Sequence, residues 1–255
     1  MLDPRDVHTA AESPLVDSVN IPAAEIPARP HELPPSGLAV LVAEAGPPTD
    51  LACDCLRSIG REAIRTPALP ARAGEAACIG RLWTPNAFLA ELAPSLRPAS
   101  GCRALDAACG SGRDAVFLAS LGWRVLGVDV LPDALERAQA LAARCAAAIE
   151  PMEWSIVDLE REPPAWSERF DLITMFRFLH RPLFVRMVEW LRPGGTLVFE
   201  TFTTVHRARH GRPARDGHVL EPGKLADLLR DYRVEQLDEG WRDGVHTARA
   251  VARRP

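Results

Sequence analysis

The sequence predicts an α/β fold: a Rossmann-like, seven-stranded, mostly parallel sheet with an antiparallel last strand, preceded by a small N-terminal α/β segment. Three observations lead there. From Arg103 onward, short apolar runs alternate with helix-like stretches. A glycine-rich turn, Cys109-Gly110-Ser111-Gly112, joins the first of these runs directly to a helix. The chain closes on two strand-like runs separated by a turn. Apolar strands alternating with helices make a parallel sheet covered on both faces, whereas strands joined by a short turn must run antiparallel.

The elements follow in order. Strands are expected at residues 103–107, 124–128, 153–157, 171–175 and 196–201, and helices at 113–121, 132–147, 182–191 and 222–230. The helix at Pro132 opens on proline, whose fixed φ and missing N–H suit a first turn. Residues 232–238 and 246–252 form the closing pair around Glu239-Gly240-Trp241-Arg242-Asp243-Gly244, giving the sheet a mixed edge. Upstream, prolines crowd the first hundred residues and break regular structure. Within that region residues 38–42 read as a short buried strand. Asp50 is placed to cap a helix over 51–59, with Gly60 as its terminator. A stretch rich in Pro, Ala and Gly reaches to residue 80, so the organisation is a segment over 1–66, a linker over 67–80 and a domain over 81–255.

With 255 residues, 47% of them hydrophobic, the chain can bury a full core. A net charge of −4 offers no general attraction to nucleic acid or anionic membranes. No stretch reaches the roughly 18 uncharged apolar residues of a membrane span, and no signal-peptide pattern opens the chain, so a cytoplasmic location is the expectation. The six cysteines (Cys53, Cys55, Cys78, Cys102, Cys109, Cys145) form no C-x-x-C pair and no zinc spacing, which reads as reduced thiols and no metal site.

The chemistry concentrates around Asp106-Ala107-Ala108-Cys109-Gly110-Ser111-Gly112. Glycines let the backbone turn sharply and bring a ligand close to the helix N-terminus behind them. Gly110-x-Gly112-x-x-Ala115 also satisfies the dinucleotide fingerprint, so an NAD-dependent oxidoreductase stays open as the alternative, beside a non-catalytic cofactor-binding regulator. Asp129, seventeen positions after Gly112, closes the second strand, where a carboxylate can accept both ribose hydroxyl protons. Asp106 discriminates between the cofactors: it would repel a diphosphate and attract an ammonium and a sulfonium. Capping roles, with Asp106 holding the loop and Asp129 the next helix, are the competing structural reading.

Leu105-Asp106-Ala107-Ala108-Cys109-Gly110-Ser111-Gly112-Arg113-Asp114, followed by Gly127-Val128-Asp129, resembles motifs I and II of class I S-adenosylmethionine-dependent methyltransferases, more narrowly their tellurite-resistance and thiopurine branch. Ile156-Val157-Asp158-Leu159, Phe170-Asp171-Leu172-Ile173 and Leu191-Arg192-Pro193-Gly194-Gly195-Thr196 match later landmarks of the same family. The resemblance implies S-adenosylmethionine as cofactor. It implies contacts from Asp106, Ala108, Gly110, Gly112 and Arg113 in the loop, from Asp129 and Val130 at the ribose, from Asp158 and Leu159 at the adenine, and from Met175 on the fourth strand. Ala108 departs from the glycine common in the family, and a negative φ would accommodate it. Arg81-Leu82-Trp83-Thr84-Pro85 occupies the place of a segment that folds over the cofactor in related enzymes. Arg81 would pair with the methionyl carboxylate, while Trp83 either walls the pocket or packs a domain junction.

Methyl transfer needs alignment and exclusion of water, with a base only if the nucleophile must lose a proton. Ligands of open α/β sheets sit outside the carboxyl ends of the strands. That rule selects Arg177 and His180 after the fourth strand, with His180 equally readable as a helix-start residue. It also selects Glu200 on the fifth strand, and the loop His206-Arg207-Ala208-Arg209-His210-Gly211-Arg212, which would clamp an anion or simply be solvated. The acceptor is expected to be a small molecule. A nucleic-acid acceptor is disfavoured by the lack of a basic, aromatic-rich stripe, and a monomer or homodimer is expected.

The front of the chain, Asp6-Val7, Ser18-Val19-Asn20-Ile21-Pro22 and Glu32-Leu33-Pro34-Pro35, is similar to the rhodanese-homology domain, whose first strand and helix would lie before Met1. The loop that would carry that domain's nucleophilic cysteine reads Ala43-Glu44-Ala45-Gly46-Pro47-Pro48. Without a thiol there is no persulfide chemistry, so the segment is expected to be a degenerate, non-catalytic remnant.

Overall fold

A computed structural model describes residues 1–71, 80–145, 149–167 and 169–255. Most of the expected linker, Cys78, and the last two residues of the helix expected over 132–147 lie outside the described residues. The chain divides into two compact units, Met1–Thr84 and Pro85–Pro255. The division falls after Thr84, four residues beyond the expected domain start at Arg81.

In the first unit, β1 (Leu2–Asp3), α1 (Val7–Glu12), β2 (Val19–Asn20), β3 (Val40–Ala43), α2 (Pro47–Ser58) and β4 (Ala63–Thr66) build a parallel sheet of order β2-β1-β3-β4. Leu2, Ile21, Val40, Val42 and Leu56 close its core. Asp50 does not cap α2, because the helix starts earlier, with Gly46 at its N-cap and prolines in its first turn. Asp50 instead pairs with Arg65. The strand β4 carries no apolar run and went unread in the sequence.

The second unit contains α3 (Ala87–Leu92), β5 (Arg103–Ala107), α4 (Arg113–Ser120), β6 (Arg124–Asp129), α5 (Pro132–Cys145), β7 (Met152–Ile156), β8 (Phe170–Phe176), α6 (Leu183–Trp190), β9 (Leu191–Phe202), α7 (Thr204–His210), α8 (Leu225–Leu228), β10 (Arg233–Arg242) and β11 (Val245–Arg253). Its seven strands lie in the order β10-β11-β9-β8-β5-β6-β7. All neighbours pair parallel except around β11, which runs antiparallel to both β9 and β10. The last strand is therefore inserted beside β9, and β10 takes the edge. Burial explains the choice: Thr247 to Ala252 are buried, while β10 keeps its side chains largely in water. The order reverses between β5 and β8, so the crevice that such sheets offer to ligands opens above their carboxyl ends.

Three expectations are corrected by backbone hydrogen bonding. The helix expected over 222–230 shrinks to the four residues of α8. The closing turn tightens to Asp243-Gly244, both with positive φ, because β10 and β11 stay paired through Arg242 and Val245. Residues 206–210, expected as a loop, lie in α7, capped by Thr203 through the His206 N–H and ended by Gly211 at φ 71°.

The glycines of the site are fixed by packing. A Cβ on Gly127 would meet the Trp154 ring at 2.4 Å, and one on Gly112 would meet Ala138 at 2.7 Å and Trp154 at 2.8 Å. One indole thus takes the space of two absent side chains and draws β6, β7, α5 and the start of α4 together. Gly127→Ala should destabilise the protein by about 1–3 kcal/mol, as overpacking does, read as a lower urea midpoint. Adding Trp154→Leu should restore most of the loss; an unchanged midpoint in Gly127→Ala would contradict this packing.

Candidate active site

The loop after β5 is pinned from two sides. Cys109 N–H donates to the Val128 carbonyl at 2.9 Å, and Gly110 N–H donates to Asp129 Oδ2 at 2.8 Å. The other carboxylate oxygen, Oδ1, caps the Leu131 N–H at 3.0 Å. Both structural and functional readings of Asp129 are thereby compatible, since each oxygen keeps a lone pair for a ribose hydroxyl. A side chain on Gly110 would meet nothing, so this face of the loop is open for a ligand to approach the main chain.

Ala108 corrects an expectation. Its φ is +58°, not negative, so an alanine holds a left-handed backbone that favours glycine. That conformation costs an L-residue about 1–2 kcal/mol, and the pinned loop holds it in place.

Asp106 is buried beneath the loop. Its Oδ1 accepts the Thr174 hydroxyl at 2.9 Å, and its Oδ2 is buried without a hydrogen-bond partner. Burial, and then the neighbouring Asp114, push its carboxyl well above the usual range. Asp114 is also raised, chiefly by burial, although its Oδ1 accepts the Asn86 N–H at 2.6 Å. The crevice therefore concentrates Asp106, Asp114, Asp129 and Glu200 on one side of the sheet. An unpaired buried carboxyl oxygen there fits a cationic ligand and opposes a diphosphate.

Glu200, on β9, is held by both oxygens: Oε2 accepts the Asn86 side-chain N–H at 2.6 Å, and Oε1 accepts the Thr247 hydroxyl at 2.9 Å. Asn86 was not singled out in the sequence. Its amide oxygen caps α3 at Phe88 N–H, its N–H reaches Asp114, and its side-chain NH₂ reaches Glu200, so one residue ties three elements at the crevice. An asparagine just before the apolar run Ala87-Phe88-Leu89-Ala90 is an N-cap signal that could have marked it.

Arg177 follows β8 with φ +57° and is exposed; its N–H donates to the Glu200 carbonyl at 2.8 Å. His180 lies farther along, in a shallow cleft of about 310 Å³ that also takes in Glu160, Arg215 and His218. His206 is buried in α7, stacked on Phe202 at 4.6 Å, and burial first of all pushes its pKa down. This corrects the picture of a charged loop: His206 is an aromatic wall, and Arg207 is paired with Asp216.

At the other end of the crevice, Val130, Leu131 and Ile156 expose apolar side chains at the carboxyl ends of β6 and β7, a surface suited to a purine ring. Asp158 Oδ1 accepts the Glu160 and Arg161 N–H groups at 3.0 Å each, fixing the turn around buried Leu159. Met175 is fully buried in the core, on β8 between Ala107 of β5 and Phe199 of β9. Arg81 belongs to the first unit, where its guanidinium lies 4.9 Å above the Trp83 ring.

Comparison with known proteins agrees with this geometry. Residues 104–195 match the methyltransferase domain family. A ubiquinone biosynthesis O-methyltransferase of Xanthomonas campestris pv. campestris is 28% identical over 165 residues, covering 56% of this chain and 69% of the relative. An S-adenosylmethionine-dependent methyltransferase from Mesorhizobium loti superposes with a TM-score of 0.52 at 18% identity, covering 66% of this chain and 99% of that one. TehB from Haemophilus influenzae does so with a TM-score of 0.53 at 18% identity, covering 66% and 61%. The fold is that of the Rossmann-like methyltransferases. The protein is an S-adenosylmethionine-dependent methyltransferase.

Two outcomes follow for the cofactor. Asp129→Ala should weaken S-adenosylmethionine binding by about 1.5–3 kcal/mol, the scale of hydrogen bonds to charged groups; unchanged calorimetric affinity in the folded variant would place the ribose elsewhere. Asp106 should also couple binding to pH. Burial lets the free protein hold the carboxyl proton to a higher pH than an ordinary carboxyl would, and the ammonium and sulfonium favour the ionised form. Binding should therefore release a proton, and affinity should rise with pH until the free protein has itself lost that proton. Calorimetry in buffers of different ionisation enthalpy reads the release, and Asp106→Asn should reduce it.

Proposed function

We propose that the protein methylates a small-molecule acceptor held above the carboxyl ends of β8 and β9. The cofactor supplies an electrophilic methyl group on a sulfonium, and the protein's part is to hold, align and exclude water. In this reading Asp129 takes the ribose, with Val130, Asp158 and Leu159 around the adenine. Asp106 faces the methionyl ammonium, and the backbone from Ala108 to Arg113 lines the approach, with Met175 beneath it on β8. The observation that carries the reading is the buried, unpartnered Asp106 Oδ2 beneath an open glycine loop, at the point where strand order reverses.

Arg177 and His180 would face the acceptor. Glu200, with both oxygens already hydrogen-bonded, is fixed in orientation and able to receive a proton or a third hydrogen bond from the nucleophile. A nucleic-acid acceptor is disfavoured by the overall negative charge, and a cytoplasmic monomer or homodimer belongs to the same reading.

For the first unit we propose a degenerate rhodanese-like segment without sulfur-transfer activity. Support comes from the loop between β3 and α2. Thr49 locks it, its hydroxyl donating to the Ala43 carbonyl and accepting the Ala45 N–H, both at 2.8 Å. The loop holds Glu44 and no thiol, while Cys53 is buried on α2. Thiosulfate sulfurtransferase assays should read background; turnover that disappears in Cys53→Ser would refute the proposal.

The acceptor test is a panel of oxygen, nitrogen, sulfur and metalloid nucleophiles with methyl-labelled cofactor. Once an acceptor is found, Asn86→Ala, which frees Glu200, should lower kcat about tenfold or more, the scale of lost positioning, with a smaller change in cofactor Kd. Label appearing on a macromolecule alone would overturn the small-molecule reading.

A further inference from the structure

We infer that the acceptor carries a carboxylate on a flat apolar body, gripped between the guanidinium groups of Arg113 and Arg177 beside the Phe202 and His206 rings. The inference rests on the reading that a small molecule sits above β8 and β9, and it names that molecule's chemistry.

The arginines are arranged as an anion site would be. Arg177 is an exposed L-residue on left-handed backbone directly after β8, a conformation that survives only where surrounding structure fixes it. Here the fixing bond is its own N–H to the Glu200 carbonyl. Its guanidinium lies 5.9 Å from the centroid of Phe202 at the end of β9. Arg113, half-buried at the start of α4, is near enough to be repelled by it: burial, and then Arg177, depress Arg113 against the pull of Asp114.

Neither guanidinium has a hydrogen-bonded carboxylate among the described residues; Asp114 lies near enough to attract both, yet its hydrogen bond goes elsewhere. Asp114 Oδ1 takes the Asn86 N–H, and Glu200 takes the Asn86 amide and the Thr247 hydroxyl. Two cations held in mutual repulsion are stabilised by an anion between them, and the forked guanidinium geometry suits a carboxylate. A phosphate would fit the same fork, but its second charge would meet the acids below the crevice at higher cost, which favours the monoanion.

The apolar body follows from the neighbouring wall. Phe202 and His206 stack at 4.6 Å, and Trp241 at the tip of the β10–β11 hairpin lies 6.4 Å from His206 and is 43% exposed. Burial favours the uncharged form of His206, so this wall presents rings rather than another cation.

The test uses the full chain saturated with S-adenosylhomocysteine and titrated with 2-naphthoate and its uncharged counterpart 2-naphthamide, followed by ligand-observed NMR. Naphthoate should bind at least tenfold tighter. Arg177→Gln should bring the two probes within about twofold of each other, with S-adenosylhomocysteine affinity retained. Arg177→Gly, which removes the guanidinium and relieves the positive φ, should give the same result in a chain at no risk of backbone strain. Equal binding of both probes to the natural protein, or a preference that persists in both variants, overturns the inference. So does a third outcome: variants that lose S-adenosylhomocysteine but keep 5′-methylthioadenosine, which would assign the guanidinium to the cofactor's own carboxylate. Labelled methyl found on macromolecules alone would fail the small-molecule reading itself, a result separate from any probe preference.

Discussion

The contact between the Trp154 indole and the bare backbone of Gly112 and Gly127 is the constraint on which the cofactor half of the fold depends. It is steric before it is anything else: with a Cβ at either glycine, β7 and α5 could not close on β6 and α4. Once they do close, the loop after β5 has a single place to go. Hydrogen bonds from Cys109 and Gly110 to the end of β6 then hold it there, and even Ala108 accepts a left-handed backbone. Packing energy spread across four elements thus supports strain at one residue, an arrangement common where a ligand must approach the main chain.

Upon that rigid base the charges are opposed. Asp106, Asp114, Asp129 and Glu200 converge beneath the crevice, and burial resists ionisation of the first two. A cationic cofactor relieves this resistance, so its binding energy includes the cost of keeping these acids out of water. On the side proposed for the acceptor, Arg113 and Arg177 carry the opposite sign, and in that reading the crevice sorts its two ligands by charge.

Asn86 joins the two regions. It lies just inside the second unit, before α3, and reaches both the acid at the head of α4 and the acid on β9. Local capping chemistry makes the helix start, and the remaining donors of the same side chain and backbone are spent on the site. Replacing its side chain would leave the backbone N–H on Asp114 in place, but would take one partner from Glu200 and the cap from α3.

What the sequence by itself determined was whatever depends on neighbours a few residues away. Apolar strands, the glycine loop, Asp106 and Asp129 at strand ends, and Pro132 at a helix start are all written in local spacing, because periodicity and backbone permissiveness are local properties. The same locality explains the errors. Asp50 was a reasonable cap on its own, but Pro47 and Pro48 started α2 sooner, and residues 206–210 read as a charged loop until Phe202 and Trp241 supplied rings for His206 to pack against. Only the tertiary structure decided the sign of φ at Ala108, the insertion of β11 between β9 and β10, the partners of Glu200, and the closeness that lets Arg177 act on Arg113. Each depends on contacts between segments distant in the chain, through burial and long-range hydrogen bonding that no local spacing encodes.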